Sequence, residues 1–600
     1  MRLVSLLAGL LIWAPSFATA GNLSSAPIEL PDFHGQPYQV NDFSKSSFLV
    51  VAFLGTECPL AKQYSTRLME LEKEFAAKGF RFIGIDANVQ DSLSEMGQLV
   101  KDLAITFPLL KDNDAKFADM LGATRTPEVF VLDRDGNVRY QGRIDDQFSF
   151  GMTAGYAKPK SMHHELHDAL VSLASGESVK VTKTEPAGCL IGRAPKLKTN
   201  TTVTYSNHIA RIIERRCIEC HRQGEAAPFA MTNYSEVVGW APMMKEVVDQ
   251  GRMPPWFADP KFGHFANDDR LTDEEKKNIQ EWIDGGCPEG DSKDLPKPRE
   301  FAKGWRIPEP DVVFEIAKTP FHVPAEGVVD YKYFTVDPGF KEDKWIQAAE
   351  ALPGNRQVVH HIIVFANVPR GQGGGGLISG RIPVAGYAPG EQPRIYPQGV
   401  AVRLPAGSKL LFQMHYTPCG TPQDDISRVG FKFADPATVK KASAGGAAIN
   451  FTFKIPAGQG NFPVVSNHQF KNDALLTMLF PHMHLRGKAF KFEAIYPNGE
   501  REILLDVPRY DFNWQLRYDL KEPKFIPKGT ELVCTAHFDN SKENPANPDS
   551  SKDVRWGPQT FEEMMIGFFA TIPTDSDPDP LRMKRNSKDA ADEESAEGGQ

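Results

Sequence analysis

The hydrophobic pattern of this chain changes near Trp305, and this change constrains the fold more than any other feature of the sequence. Before it, apolar runs of strand length, such as residues 48–54, alternate with helical patterns. After it, helical periodicity nearly disappears, and short apolar or alternating runs are separated by Pro, Gly and Asn. The first pattern indicates an α/β sheet, and the second is typical of antiparallel β-sandwiches. Because 600 residues exceed the size of one core, the sequence predicts a multidomain protein.

Residues 1–20 have the pattern of a secretory signal peptide. Arg2 supplies the positive charge, residues 3–13 form the apolar core, and Ala-Thr-Ala at 18–20 is a small-residue cleavage site. This apolar run is too short to span a bilayer, and no later segment is a continuous apolar run of about 18 residues. We therefore expect a periplasmic or otherwise exported protein without a membrane span. The net charge of −9 argues against nucleic acid as a partner.

Cys58 lies between the first predicted strand of the α/β part and the helix predicted to follow it. The apolar run 48–54 precedes Cys58, a second apolar strand covers residues 80–85, and Pro127 stands just before a later strand. This arrangement in residues 21–178 resembles the thioredoxin and peroxiredoxin superfamily. The resemblance implies an α/β thioredoxin-like domain in which Cys58 is a reactive thiol at a helix N-terminus and a cis Pro127 lies beside it.

The sequence also departs from both members of that superfamily. Ala61 replaces the second cysteine of a Cys-x-x-Cys pair, and Thr56 is one residue too close to Cys58 for the peroxiredoxin Thr-x-x-Cys. One interpretation is a peroxidase with Cys58 as its reactive thiol and Cys189 as the resolving thiol. The other is a thioredoxin fold with weak or lost redox activity.

A haem attachment motif follows a predicted linker at residues 179–200, which is rich in Lys, Thr and Pro. The motif is Cys217-x-x-Cys220-His221, in which two cysteines form thioethers with a haem c and the histidine is placed to bind its iron. A zinc or disulfide pair is the competing interpretation, but no second pair of ligands lies nearby in the sequence. Residues 201–292 are therefore predicted to form a small all-α cytochrome c domain.

The second axial ligand of this haem is expected downstream of the motif. Met253 precedes two prolines, and this segment resembles the methionine loop of small cytochromes c. A closing helix is predicted after Thr272, because Thr272 and Glu275 have the spacing of a capping box.

The β-rich part contains metal-type residues in four separate motifs. His482 and His484 are two residues apart at the end of an apolar run, so in a strand both project from one face. The other motifs are a His-His pair, a Gln-x-His-Tyr and a Glu-Met. The candidate ligands in chain order are His360, His361, His415, His482, His484 and Met564.

The order of these motifs resembles the type II copper, ascorbate-dependent monooxygenases, the family of the peptidylglycine and dopamine hydroxylases. The resemblance implies two all-β, jelly-roll-like sandwich units, at residues 305–442 and 448–575. It also implies two copper ions. The first would be bound by His360, His361 and His415, and the second by His482, His484 and Met564.

Three departures from the family bear on the substrate. The peptide hydroxylases hold their substrate's carboxylate with polar residues at positions that are Phe480, Ile566 and Phe568 in this chain. We therefore expect a small, apolar substrate. The cysteine that would pair with Cys534 in the family is also missing, which leaves Cys419 as a possible partner.

The predicted function is an exported copper monooxygenase that hydroxylates a C–H bond with O2. Electrons would come from ascorbate, another small reductant or an electron-donor protein, and the haem would pass them to copper. Two alternatives stay open. One is a copper and haem electron-transfer or binding protein without hydroxylase activity, and the other is a thiol peroxidase centred on Cys58. The charged residues 576–600 are predicted to be a disordered tail.

Overall fold

The structure is a computed structural model that describes residues 27–150, 155–158, 160–198, 201–325, 327–369 and 381–574. The predicted signal peptide and the predicted tail therefore lie outside the described residues. Within the described residues, no helix is both long enough and apolar enough to cross a membrane.

The first unit is a five-stranded sheet with helices on it, as in thioredoxin-like domains. The sheet order is β5-β4-β3-β7-β8, in which β3, β4 and β5 are parallel and β7 and β8 antiparallel to their neighbours. The central strands are buried on both faces, as the apolar runs 48–53 and 129–132 indicate. The strands are β1 (Glu29–Pro31), β2 (Pro37–Gln39), β3 (Phe48–Phe53), β4 (Phe80–Asp86), β5 (Leu109–Lys111), β6 (Arg125–Thr126), β7 (Glu128–Asp133), β8 (Val138–Gly142), β9 (Phe148–Phe150), β10 (Gly155–Ala157) and β11 (Cys189–Leu190).

Four helices accompany this sheet: α1 (Pro59–Phe75), α2 (Leu93–Leu103), α3 (Lys116–Leu121) and α4 (Glu165–Ala174). Cys58 is the N-cap residue of α1, and Pro59 occupies the first helical position, where its missing N–H costs nothing. The Thr126–Pro127 peptide bond is cis, so the isomer implied by the superfamily resemblance is confirmed. The prediction of a thioredoxin-like α/β domain is also confirmed.

The segment predicted as a linker at residues 179–200 belongs in large part to the first unit. β11 pairs with β6, and Lys183 forms an isolated bridge with Gln141 of β8. Gly192 N–H donates to Asn88 Oδ1 at 3.0 Å. The polar composition suggested a free chain, but the backbone groups of this segment are bound to the edge of the domain.

A helical region follows, and it touches both the first unit and the β-rich part. A π-helical turn (Tyr205–Ile209) runs directly into α5 (Ala210–Arg216), and α6 (Tyr234–Asp249) and α7 (Asp273–Asp284) follow. The capping box of Thr272 and Glu275 is present at the start of α7, as predicted. After α6 the chain packs onto the end of the β-rich part, where Phe265 forms a bridge with Leu520.

The β-rich part begins with two sheets that share one core. Their orders are β12-β22-β15-β19-β23, with β18 on β15, and β14-β20-β16-β17; β13 pairs with β21. The strands are β12 (Val312–Glu315), β13 (Phe321–Val323), β14 (Lys332–Val336), β15 (Lys344–Leu352), β16 (Val359–Asn367), β17 (Arg381–Tyr387), β18 (Arg394–Ile395), β19 (Val400–Leu404), β20 (Lys409–Tyr416), β21 (Gln423–Asp425), β22 (Arg428–Phe433) and β23 (Lys441–Ala442).

The rest of the β-rich part is a second pair of sheets with its own core. Their orders are β24-β33-β27-β30 and β26-β31-β28-β29, and β25 pairs with β32. The strands are β24 (Ala444–Ile449), β25 (Lys454–Ile455), β26 (Phe462–Gln469), β27 (Ala474–His482), β28 (Gly487–Ile495), β29 (Arg501–Val507), β30 (Tyr518–Ile526), β31 (Glu531–Phe538), β32 (Val554–Arg555) and β33 (Ile566–Pro573). Cys534 is buried in this core whereas Cys419 packs on the first one, and both are free thiols, so the suggested pairing is wrong.

A buried ion pair supports the loop that leads to Cys58. Lys111 Nζ lies 3.1 Å from Asp86 Oδ1 and also donates to the carbonyl of Asp91, whose carboxylate accepts from the Thr56 N–H at 2.8 Å. Replacing Lys111 with methionine would leave buried carboxylates without their cation. We expect this change to cost about 3 to 5 kcal/mol of stability.

The measurement is chemical denaturation of the full chain, in which unfolding of the first unit is followed by alkylation of its buried thiol Cys58 and peptide mass. Lys116→Met is the matched control, because its partner Asp114 is exposed and the pair lies in solvent. Equal stability of the two variants would contradict the supporting role of Lys111.

Candidate functional site

The first candidate site is a pair of cysteines that are far apart in the sequence of the first unit but close together in its structure. Cys189 of β11 stands opposite Thr126 in the ladder with β6, and Cys58 Sγ lies 3.0 Å from the Thr126 carbonyl oxygen. The structure therefore brings Cys58, Cys189 and Pro127 together. Both thiols are free and almost fully buried, with 1% and 5% of their surface exposed.

The two thiols have different acidities because one stabilises the other. Burial alone would raise the pKa of Cys58, but hydrogen bonds from the Cys189 side chain and the Ala61 N–H lower it to about 6. The pKa of Cys189 is raised well above its ordinary value by the same hydrogen bond and by burial. A thiolate at Cys58 beside a protonated thiol at Cys189 makes Cys58 the nucleophile of the pair, and a disulfide forms between them once an oxidant accepts two electrons.

The second candidate site is the Cys-x-x-Cys-His motif, which forms a tight turn after α5. The N–H groups of Cys220 and His221 donate to the Cys217 carbonyl at 3.2 and 3.0 Å. His221 Nδ1 lies 3.3 Å from the Phe229 carbonyl oxygen, and desolvation lowers the pKa of the ring to about 4. The ring is therefore neutral, and a proton held at Nδ1 leaves the lone pair of Nε2 for a metal. These residues fit a covalently attached haem.

Met253, the predicted second haem ligand, lies in the turn after α6. Its N–H donates to the Val247 carbonyl at 3.2 Å. Three residues later, Trp256 enters the core of the second pair of sheets and stacks edge-on against Tyr518. Met253 is thus held between α6 and the β-rich part, and its role as a ligand stays a prediction.

The third candidate site is a cluster of three histidines on neighbouring strands. His360, His361 and His415 each offer a ring nitrogen, and these atoms all lie within 4.8 Å of one another. His361 pairs with His415 across the ladder of β16 and β20, and a bulge lies just before it. A bulge turns adjacent side chains toward one side, which allows both His360 and His361 to reach the same point.

Unsatisfied nitrogen atoms in this cluster indicate what it can bind. His361 Nε2 and His415 Nδ1 are buried without a hydrogen-bond partner. Burial lowers the pKa of all three rings, so they are neutral at ordinary pH. Three neutral, buried imidazoles that converge without carboxylates fit a copper or zinc ion.

The fourth candidate site is His482-x-His484, at the end of β27. His482 Nδ1 lies 2.7 Å from Gln515 Oε1, and His484 Nδ1 lies 3.3 Å from the Glu562 carbonyl oxygen. Both contacts favour a proton at Nδ1 and leave Nε2 for a ligand; His484 Nε2 is buried without a partner. These two residues therefore also fit a metal ion.

Met564, the predicted third ligand of the second ion, lies two residues before β33, whose ladder with β27 ends at the pair His482 and Ile566. Its role as a ligand stays a prediction. The carboxylate of Glu563 holds this segment in place, because it accepts from the N–H groups of His484 and Arg486 at 2.8 and 2.6 Å. Glu563 is a supporting residue that the sequence alone did not identify.

Two aromatic residues stand between the two histidine groups. The Tyr331 ring lies 4.9 Å from His415 and 6.4 Å from His484, and Phe512 lies 5.7 Å from His360 and 5.8 Å from His484. The third and fourth candidate sites are therefore close neighbours across the boundary between the two pairs of sheets.

A cavity of about 290 Å³ is lined by His361 of the first group and by Gln515, the hydrogen-bond partner of His482 in the second. It reaches His361 on one side and Phe480 and Phe568 on the other, and most of its wall is apolar. Arg517 and Glu391, which form an ion pair at 3.5 Å, give the wall one charged region. The cavity suits a small, mainly apolar molecule.

Comparisons with known proteins give a family match for the first unit. Residues 24–141 match the model of the AhpC/TSA family. The thiol-disulfide oxidoreductase ResA of Bacillus thuringiensis subsp. konkukian is 28% identical over 125 residues, which are 21% of this chain and 64% of the relative. ResA of Bacillus subtilis is 25% identical over 116 residues, 19% of this chain and 63% of the relative. The chain thus spans less than two thirds of the length of these relatives.

Solved structures are similar to a part of the chain. A hypothetical protein from Sinorhizobium meliloti is 27% identical and covers 30% of this chain and 96% of its own, with a TM-score of 0.26. Peroxidoxin BcpB from Mycobacterium tuberculosis is 22% identical, covering 25% of this chain and 93% of its own, with a TM-score of 0.19. The family match and the ResA relatives show that the first unit is a redoxin domain similar to thiol-disulfide oxidoreductases.

Proposed function

We propose that this protein is an exported oxidoreductase whose β-rich part binds two copper ions and hydroxylates a C–H bond with O2. The observation that carries this proposal is the convergence of His360, His361 and His415 within 4.8 Å. The neighbouring pair, His482 and His484, supports a second ion. The family resemblance of the motif order supports the same assignment.

The side chains around the two histidine groups prepare them for metal binding. Gln515 and the Glu562 carbonyl fix the protons of His482 and His484 at Nδ1. Met564 adds a thioether, a ligand that favours Cu(I), whereas imidazole suits both oxidation states. When bound, copper would supply one-electron chemistry toward O2. In the overall reaction, one oxygen atom enters the product and the other leaves as water, with two electrons and two protons from outside.

The cavity beside the histidines defines the substrate class. Phe480 and Phe568 stack at 5.7 Å and form a wall that offers no hydrogen bonds. A free amino-acid or peptide carboxylate held against these two rings would lose its hydration without compensation. Two arginines of the cavity wall, Arg517 and Arg403, are already paired with carboxylates of this chain. We therefore propose a small, mainly apolar substrate that is held where water is excluded.

We place the haem at Cys217, Cys220 and His221, with Met253 as its second axial ligand, and it would deliver electrons to copper. The contacts of Glu225, four residues after His221, support this route. Glu225 forms an ion pair with Arg356 at 3.3 Å, and the Arg356 guanidinium lies 5.4 Å from the Tyr387 ring centroid.

Tyr387 pairs with Ile362, the residue after His361, in the ladder of β16 and β17. The loop after the motif therefore contacts Arg356, three residues before β16, and through it Tyr387 of the neighbouring strand β17. Ascorbate, another small reductant or an electron-donor protein would reduce the haem or the copper.

Product analysis with ¹⁸O2 tests the proposal on exported, haem-loaded protein that has been supplied with copper. Two copper ions and one haem per chain, together with ¹⁸O in a hydroxylated product, are the expected result. Bound copper and haem without ¹⁸O incorporation from a panel of small apolar molecules would favour an electron-transfer or binding protein instead.

A second candidate function is a thiol peroxidase, favoured by the contact of Cys58 with Cys189. Peroxide would oxidise the Cys58 thiolate to a sulfenic acid, and the Cys189 thiol would condense with it to a disulfide and water. Because the pKa of Cys58 is about 6, the rate of peroxide consumption is expected to rise with pH to a plateau, with its midpoint near 6.

Stopped-flow kinetics of peroxide consumption measure this profile. Cys58→Ser is expected to abolish the reaction. Cys419→Ser, a change of a free thiol in another unit, should leave it unchanged. Unchanged peroxide consumption in Cys58→Ser would rule out this function.

A further inference from the structure

One aromatic side chain of α6 packs against the cysteine pair of the first unit. Trp240 belongs to the same buried cluster as Cys58 and Cys189, and only 4% of its surface is exposed. Its indole N–H donates to the side chain of Glu57, the residue before Cys58. α6 thus closes the thiol site from the side of the helical region.

The same tryptophan is stacked on a residue that contacts the haem motif. The rings of Trp240 and Phe229 are 3.9 Å apart and inclined by only 12°. Phe229 in turn lies 4.6 Å from the His221 ring, and its carbonyl is the partner of His221 Nδ1. A series of contacts therefore runs from Glu57, the residue before Cys58, through Trp240 and Phe229 to His221.

Ion pairs fix α6 over the thiols. Glu246 of α6 binds Arg125 at 2.7 Å and Arg252 at 2.6 Å, and Arg125 belongs to the strand that pairs with β11. With only 1% and 5% of their surface exposed, Cys58 and Cys189 have no open face for another protein's disulfide. Trp240 is buried in the same cluster as the two thiols.

We propose that the Cys58–Cys189 pair is an internal electron donor to the haem held at Cys217 and Cys220, with Trp240 and Phe229 as the connection. In the complete step the two thiols lose two protons and two electrons, and an S–S bond forms between them. The electrons pass one at a time to ferric haem, which is reoxidised by a one-electron acceptor between the two transfers. The protons go to solvent.

The direction of this transfer follows from the two redox chemistries. Dithiol pairs of thioredoxin-like proteins have low reduction potentials, whereas a haem with histidine and methionine ligands has a higher one. Cys58 loses an electron more readily as a thiolate, and its lowered pKa favours that form at neutral pH. The inference rests on the haem of the proposed function and is independent of copper and of hydroxylation.

The test uses the full-length chain with haem attached, its thiols reduced and copper removed with a chelator. Ferricyanide, a one-electron oxidant, is added, and the Cys58–Cys189 disulfide is followed by quenched alkylation and peptide mass. We expect two ferricyanide ions to be consumed per disulfide. In Trp240→Leu and in Phe229→Leu, the rate should fall to that of the haem-free Cys217→Ser/Cys220→Ser chain.

Phe301→Leu is the matched control, because Phe301 packs on Arg222 beside the motif but lies outside the series of contacts. It should form the disulfide at the unaltered rate. If the Trp240 variant fails to fold, the Phe229→Leu variant decides the test, because Phe229 is partly exposed and its replacement disturbs the core less. The proposal is overturned if the haem-free chain forms the disulfide as fast as the haem-loaded one, if Phe229→Leu has no effect, or if the exported chain binds no haem.

Discussion

Replacement of His415 by alanine is expected to remove one of two copper ions and to lower hydroxylation at least about 100-fold. His415 is the partner of His361 across β16 and β20, and its ring lies 4.8 Å from that of His360. Loss of one imidazole leaves two nitrogen ligands and a water-sized gap. Copper content by mass spectrometry and the electron paramagnetic resonance spectrum of the Cu(II) form measure the first effect, and product yield measures the second.

His322→Ala is the matched control for this change. His322 lies in the same pair of sheets, but it is exposed and binds Asp424 at 3.0 Å, away from the cluster. It should retain two copper ions and full activity. If His415→Ala also retained both ions with an unchanged spectrum, the assignment of the first copper to these histidines would be wrong.

The two histidine groups illustrate how far a sequence can predict a site. The spacing of His482 and His484 places both rings on one face of a strand, which is a local property of extended backbone. For the adjacent His360 and His361, the same rule places the rings on opposite faces. They converge because of the bulge before His361, and no residue in the sequence marks that bulge.

The residues that support these groups could not be predicted, because they come from distant parts of the chain. Tyr331 and Phe512 are ordinary aromatic residues in the sequence, yet they lie between the two histidine groups. Gln515 lies in the loop between β29 and β30. It becomes the partner of His482 only because that loop folds back onto β27. Their roles depend on the packing of the two pairs of sheets.

The thiol site shows a different case: the structure places the Cys189 thiol beside Cys58, but on a short strand where the sequence predicts a linker. Cys189 was a candidate partner for Cys58, but its segment was predicted to be a linker. Two residues of β11 suffice to tie it to β6, and a strand so short leaves no periodic pattern.

Removal of the haem-attaching thiols is the second change with a large expected effect. Cys217→Ser/Cys220→Ser is expected to lower covalent haem from one per chain to none, because each thioether needs a thiol sulfur. Turnover driven by a reductant that reduces only haem should then fall to background. Turnover driven by ascorbate, which can reduce copper directly, should persist. Haem content is measured by the pyridine haemochrome spectrum, and turnover by product yield with each reductant.

Three further variants separate the attachment of haem from the docking of the loop after the motif onto the β-rich part. Cys287→Ser changes a buried free thiol of the same helical region and should keep both haem and haem-driven turnover. Arg356→Glu should keep the haem but slow haem-driven turnover, because it replaces the attraction to Glu225 with repulsion across the contact of 3.3 Å. The exchanged pair Glu225→Arg/Arg356→Glu should recover much of that rate. If the serine variants lost haem without any change in turnover, electrons would reach copper by another route, and the contact with Arg356 would serve only to hold the helical region in place.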